Sequence, residues 1–237
     1  MDRVSEPLPE KAIAMPTRLD NPRYSRLPDG LIDAWRGVPS SVIADQLGGV
    51  GHADPRIRPI RPFAPGTRLT GSAVTAWCEP ADYGPVHHAI AIAGPGDVVV
   101  VAAGGRRDAA MIGDLLGGAA RLKGIAGVVV DGAVRDVGPV SQWPDFIMFS
   151  RWVMPRGPSS MERGIVNGPI VFGGVAVQPN DLVIGDDDGL VFVPHALAEA
   201  KLEPCLARVR AEGEWEKVLA SGKSTVEVFK VPAIEPL

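Results

Sequence analysis

The sequence predicts an α/β fold, a parallel strand–helix–strand core followed by a largely antiparallel half. Three features carry that expectation. Two apolar runs, VVVVAA at Val98 to Ala103 and IAGVVVDGAV at Ile125 to Val134, show no polar alternation, which marks strands buried on both faces. Between them Asp108 to Lys123, rich in Ala, Leu and Gly, has the length of a helix and is closed by Gly124. After Phe146 the chain turns to short β-rich stretches (FIMFS, GIVNGPIVF, VAVQP, DLVIGDDDG and LVFVP) punctuated by Gly, Pro and Asn. Strand, helix and strand in that order imply a right-handed crossover between parallel neighbours.

The remaining elements follow in chain order. Pro7, Pro9, Pro16, Pro22 and Pro28 lie among charges in the first 28 residues, discouraging regular structure and suggesting an arm over residues 1–30. Ser40 or Ser41 is positioned to cap a short helix through VIADQLGG, and the Gly48-Gly49 pair to end it. RIRPI and TRLTGSAVTAW read as strands, and Tyr83 to Ala93 as a helix that turns through Gly94-Pro95-Gly96-Asp97 into the first apolar run. His195 to Ala220 is an amphipathic stretch, expected to break or kink at Pro204 and to pack, with the tail to residue 237, on a neighbouring subunit. Residues 31–194 form the central domain in this division.

Composition narrows the functional classes. The 237 residues suit one domain, and 46% hydrophobic with 22% charged residues is ordinary for a globular chain. A net charge of −4 lacks the basic footprint that phosphate backbones require, so nucleic acid is not an expected partner. The start, MDRVSEPLPEKAIAMP, has no apolar signal core, and no stretch approaches the roughly 18 apolar residues of a membrane span, which points to a cytoplasmic protein. Cys78 and Cys205 lie far apart without C-x-x-C spacing and read as two buried free thiols.

The segment GDLLGGAARLKGIAGVVVDGAVRD, Gly113 to Asp136, places functional groups at the two ends of one helix–strand unit. In open α/β sheets the strand ends and adjacent helix N-termini form the crevice where small anions bind. Backbone N–H groups of Leu115 and Leu116 can hold a carboxylate. Arg135 supplies a forked cation able to bridge a carboxylate and a keto oxygen and to stabilise an enolate. Asp136 and Asp114 are hard oxygen donors, too few to cage Ca²⁺ but suited to Mg²⁺ or Mn²⁺ that keeps several waters. The same residues also read as a structural Arg135–Asp136 ion pair with Asp114 as a helix cap, and residue chemistry alone leaves both readings open.

Gly113, Leu115, Ala119, Arg135 and Asp136 resemble the signature of the 4-hydroxy-4-methyl-2-oxoglutarate and 4-carboxy-4-hydroxy-2-oxoadipate aldolases: G-x-L-x₃-A, then R-D about twenty residues on. PGD at Pro95 to Asp97, MPRGPS at Met154 to Ser159, GGV at Gly173 to Val175 and DDDG at Asp186 to Gly189 extend the resemblance over Ser40 to Pro194. It implies an RraA-like swivelling β/β/α fold and a metal-dependent pyruvate aldolase. Asp136 would then bind the metal directly, Asp114 would bind it through water, and Arg135 would hold a small 2-oxo acid, with Gly113, Leu115 and Leu116 beside it. It further implies a trimer or hexamer whose sites are completed by an acid from a neighbour's C-terminal helix. Here that acid is Glu212, with Glu214 as the alternative. The expected chemistry is C3–C4 cleavage to a pyruvate enolate after a metal-linked water takes the C4 hydroxyl proton, and oxaloacetate would lose CO₂ through the same enolate. The same fold is shared with proteins resembling the inhibitor of ribonuclease E, so a non-catalytic protein-binding regulator is the alternative.

Other features carry less. Asp186-Asp187-Asp188-Gly189 lacks the other positions of a calcium loop and reads as a hairpin turn. His87 and His88 read as partly buried helix residues. Gly104-Gly105-Arg106-Arg107 lacks nucleotide-loop spacing, though its arginines could steer dianions. Lys123 and Lys201 lack the apolar strand-end setting of a Schiff-base lysine.

Overall fold

A computed structural model describes residues 16–20, 26–79 and 82–235, so most of the arm expected over residues 1–30 lies outside the described residues. In chain order, strand β1 (Arg18–Leu19) precedes helices α1 (Asp29–Trp35) and α2 (Ser40–Gln46). Strands β2 (Arg58–Pro59) and β3 (Leu69–Cys78) are followed by helix α3 (Gly84–Ile92) and strand β4 (Asp97–Ala102). Strand β5 (Ala110–Ile112) leads into helix α4 (Asp114–Leu122), strand β6 (Gly127–Val134) and the single turn α5 (Val137–Val140). Strand β7 (Ile147–Val153) precedes β8 (Gly164–Val166), β9 (Ile170–Phe172), β10 (Val175–Val177), β11 (Leu182–Asp186) and β12 (Gly189–Val193). After a 3₁₀ turn at His195–Leu197 come α6 (Ala198–Ala220) and α7 (Thr225–Val228).

The expected α/β architecture is present. Strands β3, β4, β6 and β7 lie side by side and parallel, with Val98–Ala102 of β4 in register with Gly127–Asp131 of β6. Both apolar runs are buried on both faces because alternate residues feed two different cores. Val99, Val101, Val128 and Val130 pack with residues of α3 and α4, whereas Val98, Val100 and Val129 pack against Phe149, Phe172 and Phe192. Antiparallel pairings enclose this centre: β8 and β11 both pair with β3, β11 with β12, β2 with β7, and β9 with β10 in a separate hairpin.

Several local expectations change. The helix expected from Asp108 begins only at Asp114, because Ala110, Met111 and Ile112 are buried and pair as a parallel strand with β6. FIMFS belongs to the parallel centre, since β7 continues the sheet beside β6. RIRPI keeps only a two-residue strand. Neither serine caps α2, whose N-cap is Pro39. Instead the Ser40 N–H and hydroxyl donate to the Asp186 carboxylate at 2.9 and 2.6 Å, so the DDDG turn, a hairpin as expected, also anchors α2.

Helix α6 runs unbroken through Pro204. Its apolar residues Leu202, Cys205, Leu206 and Val209 pack with Trp35 and Ile43 of α1 and α2, and Trp35 Nε1 donates to the Ala198 carbonyl at 3.0 Å. The first part of α6 therefore has its partner within the chain. Both cysteines are free and buried, and burial with nearby Asp82 pushes the Cys78 thiol up to about 12, so it is inert at neutral pH.

A charged network crosses the sheet. Arg151 on β7 donates through Nε to Asp131 of β6 at 2.6 Å and through Nη1 to Asp54 at 2.7 Å, while the Gly173 N–H donates to the other Asp131 oxygen at 2.9 Å. Arg151→Met leaves Asp131 buried without its cation, and breaking such a pair from one side costs about 3–5 kcal/mol. The expected result is a melting temperature lower by roughly 6–20 °C at neutral pH. An unchanged melting curve would show that the network adds nothing to stability.

Candidate active site

Strands β5 and β6 leave the sheet side by side, and this brings Gly113 and Asp136 together. The Arg135 N–H donates to the Ile112 carbonyl at 3.0 Å, fixing the exit of β6 against the start of α4. Asp136 then adopts a left-handed conformation (φ 57°, ψ 35°), tolerated by Asp better than by most residues, and its carbonyl accepts from Val140 N–H at 3.2 Å to begin α5. This bend aims the Asp136 carboxylate back at α4. Its Oδ2 accepts from the Asp114 N–H at 3.3 Å and lies 3.4 Å from Arg135 Nε.

The first intrahelical bond of α4 runs from Gly117 N–H to the Gly113 carbonyl at 2.9 Å. The N–H groups of Leu115 and Leu116 are thus among the unpaired donors of a helix start, where the dipole also favours an anion. Asp114 is the first helical residue and makes no side-chain cap; Asp136 serves the helix end instead. The Arg135–Asp136 pair is long and about 40% exposed, a geometry worth about 0–1 kcal/mol, so stability alone gives little reason for it.

Two glycines make room for this arrangement. A Cβ on Gly113 would lie 2.3 Å from Asp136 Oδ2 and 2.9 Å from Arg135 Cγ. A Cβ on Gly157, from the MPRGPS segment, would lie 2.7 Å from Arg135 Nη1. Gly113, Leu115, Leu116 and Arg135 line one cleft of about 450 Å³ together with Gly157 and Pro158. Its other wall is Tyr83 and His87, and Ala110, Met111 and Ile112 form its floor.

Five predicted residues, Gly113, Asp114, Leu115, Leu116 and Asp136, thus gather around Arg135. Glu212 does not line this cleft; it accepts from Arg208 Nε at 2.8 Å on α6, and Glu214 accepts from Lys217 at 2.6 Å. Among the described residues no group of three or more His, Cys, Asp or Glu side chains could hold a metal ion. Asp136 and Asp114 by themselves suit a hard, largely hydrated cation such as Mg²⁺ or Mn²⁺, and the lack of His or Cys beside them disfavours Zn²⁺.

Sequence reasoning set His87 aside and assigned Tyr83, Met111, Gly157 and Pro158 no role. His87 and His88 are largely solvent-exposed on α3, with His87 covered on one side where its ring meets Tyr83 edge-on at 4.9 Å. Burial and the neighbouring His88 push the His87 imidazole below the ordinary histidine range. MPRGPS was the one signal that could have drawn attention to Gly157. The lysines are structural: Lys123 donates to the Ile90 and Ala91 carbonyls at the end of α3, and Lys201 to Gln46. Arg106 is held by Asp108 at 2.6 Å, and neither it nor Arg107 lines the cleft.

The RraA-like family profile (Aldolase/RraA) matches residues 31–192. A protein from Halalkalibacterium halodurans, provisionally assigned as a 4-hydroxy-4-methyl-2-oxoglutarate aldolase, is 31% identical over 205 residues, covering 86% of this chain and 96% of that protein. Among solved structures, an uncharacterised Pseudomonas syringae protein superposes with a TM-score of 0.74 at 27% identity, covering 86% of this chain and 99% of the other. A Streptomyces coelicolor protein, described as an unusual member of the RNase ES inhibitor RraA family, does so with a TM-score of 0.70 at 26% identity, covering 81% and 99%.

Proposed function

We propose that this chain, which belongs to the RraA-like aldolase family, is a divalent-cation-dependent lyase that releases pyruvate from 4-hydroxy-2-oxo acids of the 4-hydroxy-4-methyl-2-oxoglutarate type. The observation that carries the reading is the convergence of Arg135 and the free N–H groups of Leu115 and Leu116 on one cleft, with the Asp136 carboxylate beside Arg135 and the start of α4. The helix start takes the substrate C1 carboxylate. The Arg135 fork spans that carboxylate and the C2 oxygen, and gains most when the C2 oxygen becomes an enolate. The C4 hydroxyl gives its proton to water, the C3–C4 electron pair passes to the enolate, and protonation at C3 yields pyruvate. Oxaloacetate fits the same scheme, its C4 carboxylate leaving as CO₂. A cation held by Asp136 and Asp114 would supply Lewis-acid polarisation of the keto oxygen.

Two carboxylates hold such a cation sparsely, and Glu212 from the C-terminal helix of a second copy is the proposed third acid, in a trimer or hexamer. In this reading residues 31–194 are the catalytic domain of a cytoplasmic enzyme, and residues 195–237 meet the neighbour. Pyruvate release from oxaloacetate or a 4-hydroxy-2-oxo acid is expected with Mg²⁺ or Mn²⁺ and lost in excess chelator. Full activity in chelator would remove the metal. Inactivity across a panel of such acids would favour a non-catalytic, protein-binding regulator, the role suggested by the RNase ES inhibitor family. Mixing inactive Asp136→Ala and Glu212→Ala proteins under subunit exchange should restore activity, and continued inactivity after proven exchange would show that the sites are not shared.

A further inference from the structure

We infer that His87 is a catalytic residue of this cleft, which receives the C4 hydroxyl proton by way of water and returns it to C3 of the enolate. The inference rests on the 2-oxo acid reading above and deepens it, because that reading assigns no residue to the C3 proton. Among the described residues, the titratable side chains that line the cleft are Tyr83, His87 and Arg135. A guanidinium does not give up its proton in proteins, and a phenol is too weak an acid to shuttle one at neutral pH. The carboxylates of Asp114 and Asp136 are assigned to the proposed cation, and carboxylates are weak bases toward a hydroxyl. An imidazole changes charge near neutral pH, so it can both take the proton and give it back. The step needs no further reactant. The hydroxyl proton passes through water to a ring nitrogen, the C3–C4 pair becomes the enolate as C4 becomes a carbonyl, and the imidazolium protonates C3. Oxaloacetate has no C4 hydroxyl proton to supply, and there the exposed face of His87 takes the C3 proton from solvent.

The helix that carries His87 is pinned at both ends. Beside its start the Tyr83 N–H donates to the Ser160 carbonyl at 3.1 Å, and buried Asp82 accepts from the Glu162 N–H at 3.0 Å and from Arg163 Nε at 2.9 Å. At its end Lys123 donates to the Ile90 and Ala91 carbonyls, each at 2.7 Å. The Tyr83 ring covers one side of the imidazole, and a base on so fixed an element keeps the placement that proton transfer requires. Burial, and then the neighbouring His88, push the imidazole below the ordinary histidine range, so the neutral base is the resting form at neutral pH. The other charges near it are Arg135 in the same cleft, Arg156 beside the rim residue Gly157, and Asp114 at the start of α4. Further charges on or beside the elements packed against α3 are paired, Asp97 with Arg26, Glu79 and Asp82 with Arg163, and Arg121 with Asp145.

Exchange of the pyruvate methyl protons with D₂O isolates the transfer at C3 from bond cleavage. On the full chain with Mg²⁺, proton magnetic resonance is expected to show this exchange. His87→Gln keeps size and polarity but cannot carry the proton, and should slow the exchange by about 10²-fold or more. Calorimetry should find its pyruvate affinity within about twofold of the parent, since the lost interaction belongs to the transition state. At subsaturating pyruvate the parental exchange rate should rise with pH along the titration of the His87 ring signals, a test that needs no variant. His88→Gln removes a like charge beside the base, and should keep exchange while moving that rise to higher pH. If the parent binds pyruvate without exchanging its methyl protons, if His87→Gln exchanges them at the parental rate, or if the rise does not follow the His87 titration, the inference is overturned and the 2-oxo acid reading stands. If pyruvate neither binds nor exchanges, that reading falls and takes the inference with it.

Discussion

Arg135→Lys is expected to lower kcat for pyruvate release by about 10² to 10³ while leaving the melting temperature within about 1 °C of the parent. Lysine keeps the charge but is a point donor, unable to hold a carboxylate and an enolate oxygen in one plane. The side chain contributes little to stability, because its ion pair with Asp136 is long and about 40% exposed. Steady-state kinetics beside a thermal melt checks both halves. Parental turnover would make Arg135 a structural residue and remove the basis of the mechanism.

A second large effect is expected at a residue with no side chain. Gly113 has an extended backbone (φ −139°) that any residue adopts, so Gly113→Ala introduces no backbone strain. Its Cβ would nevertheless sit 2.3 Å from Asp136 Oδ2 and 2.9 Å from Arg135 Cγ, forcing both groups to move by several tenths of an ångström or more. Misplacement on that scale costs about 10²-fold in rate even though the new methyl touches no reacting atom. Gly118→Ala is the control in the same helix, since its Cβ would approach only Trp143 Cη2 at 3.8 Å. It should be neutral in activity and stabilising by about 0.5–1 kcal/mol. Equal activity in the two variants would show that Gly113 is a spacing residue and not a determinant of the site.

Much of this arrangement is legible in the sequence because it rests on strong local patterns. The valine-rich runs at Val98 to Ala103 and Ile125 to Val134 admit few structures other than doubly buried strands, and a helix between them forces the parallel pairing that is present. The motif from Gly113 to Asp136 returns to one sheet edge for the same reason. What was not legible depends on pairing between distant segments. Ala110 to Ile112 reads as the first turn of a helix until β6 is there to receive it. The Asp186 carboxylate reads as turn chemistry until Ser40, far back in the chain, is found donating to it twice. His87 looks like an ordinary helix residue because the cleft it faces is built by α4 and Pro158. No local window contains both walls of a cleft.

The pairing of β3 bears on how the chain reaches its native state. One edge of this strand is met early by β4, through Ser72 to Trp77, but its other edge waits for Gly164–Val166 and for Leu182–Gly185, the latter more than a hundred residues downstream of their partners. Until those segments leave the ribosome, a ten-residue strand that is almost entirely buried in the finished protein presents open N–H and C=O groups. Such delayed, long-range closure makes refolding slow and leaves a sticky intermediate, so yield on dilution from denaturant should fall steeply with protein concentration. Chains truncated before residue 182 should collect as aggregates even though every residue of the proposed substrate cleft has already been made.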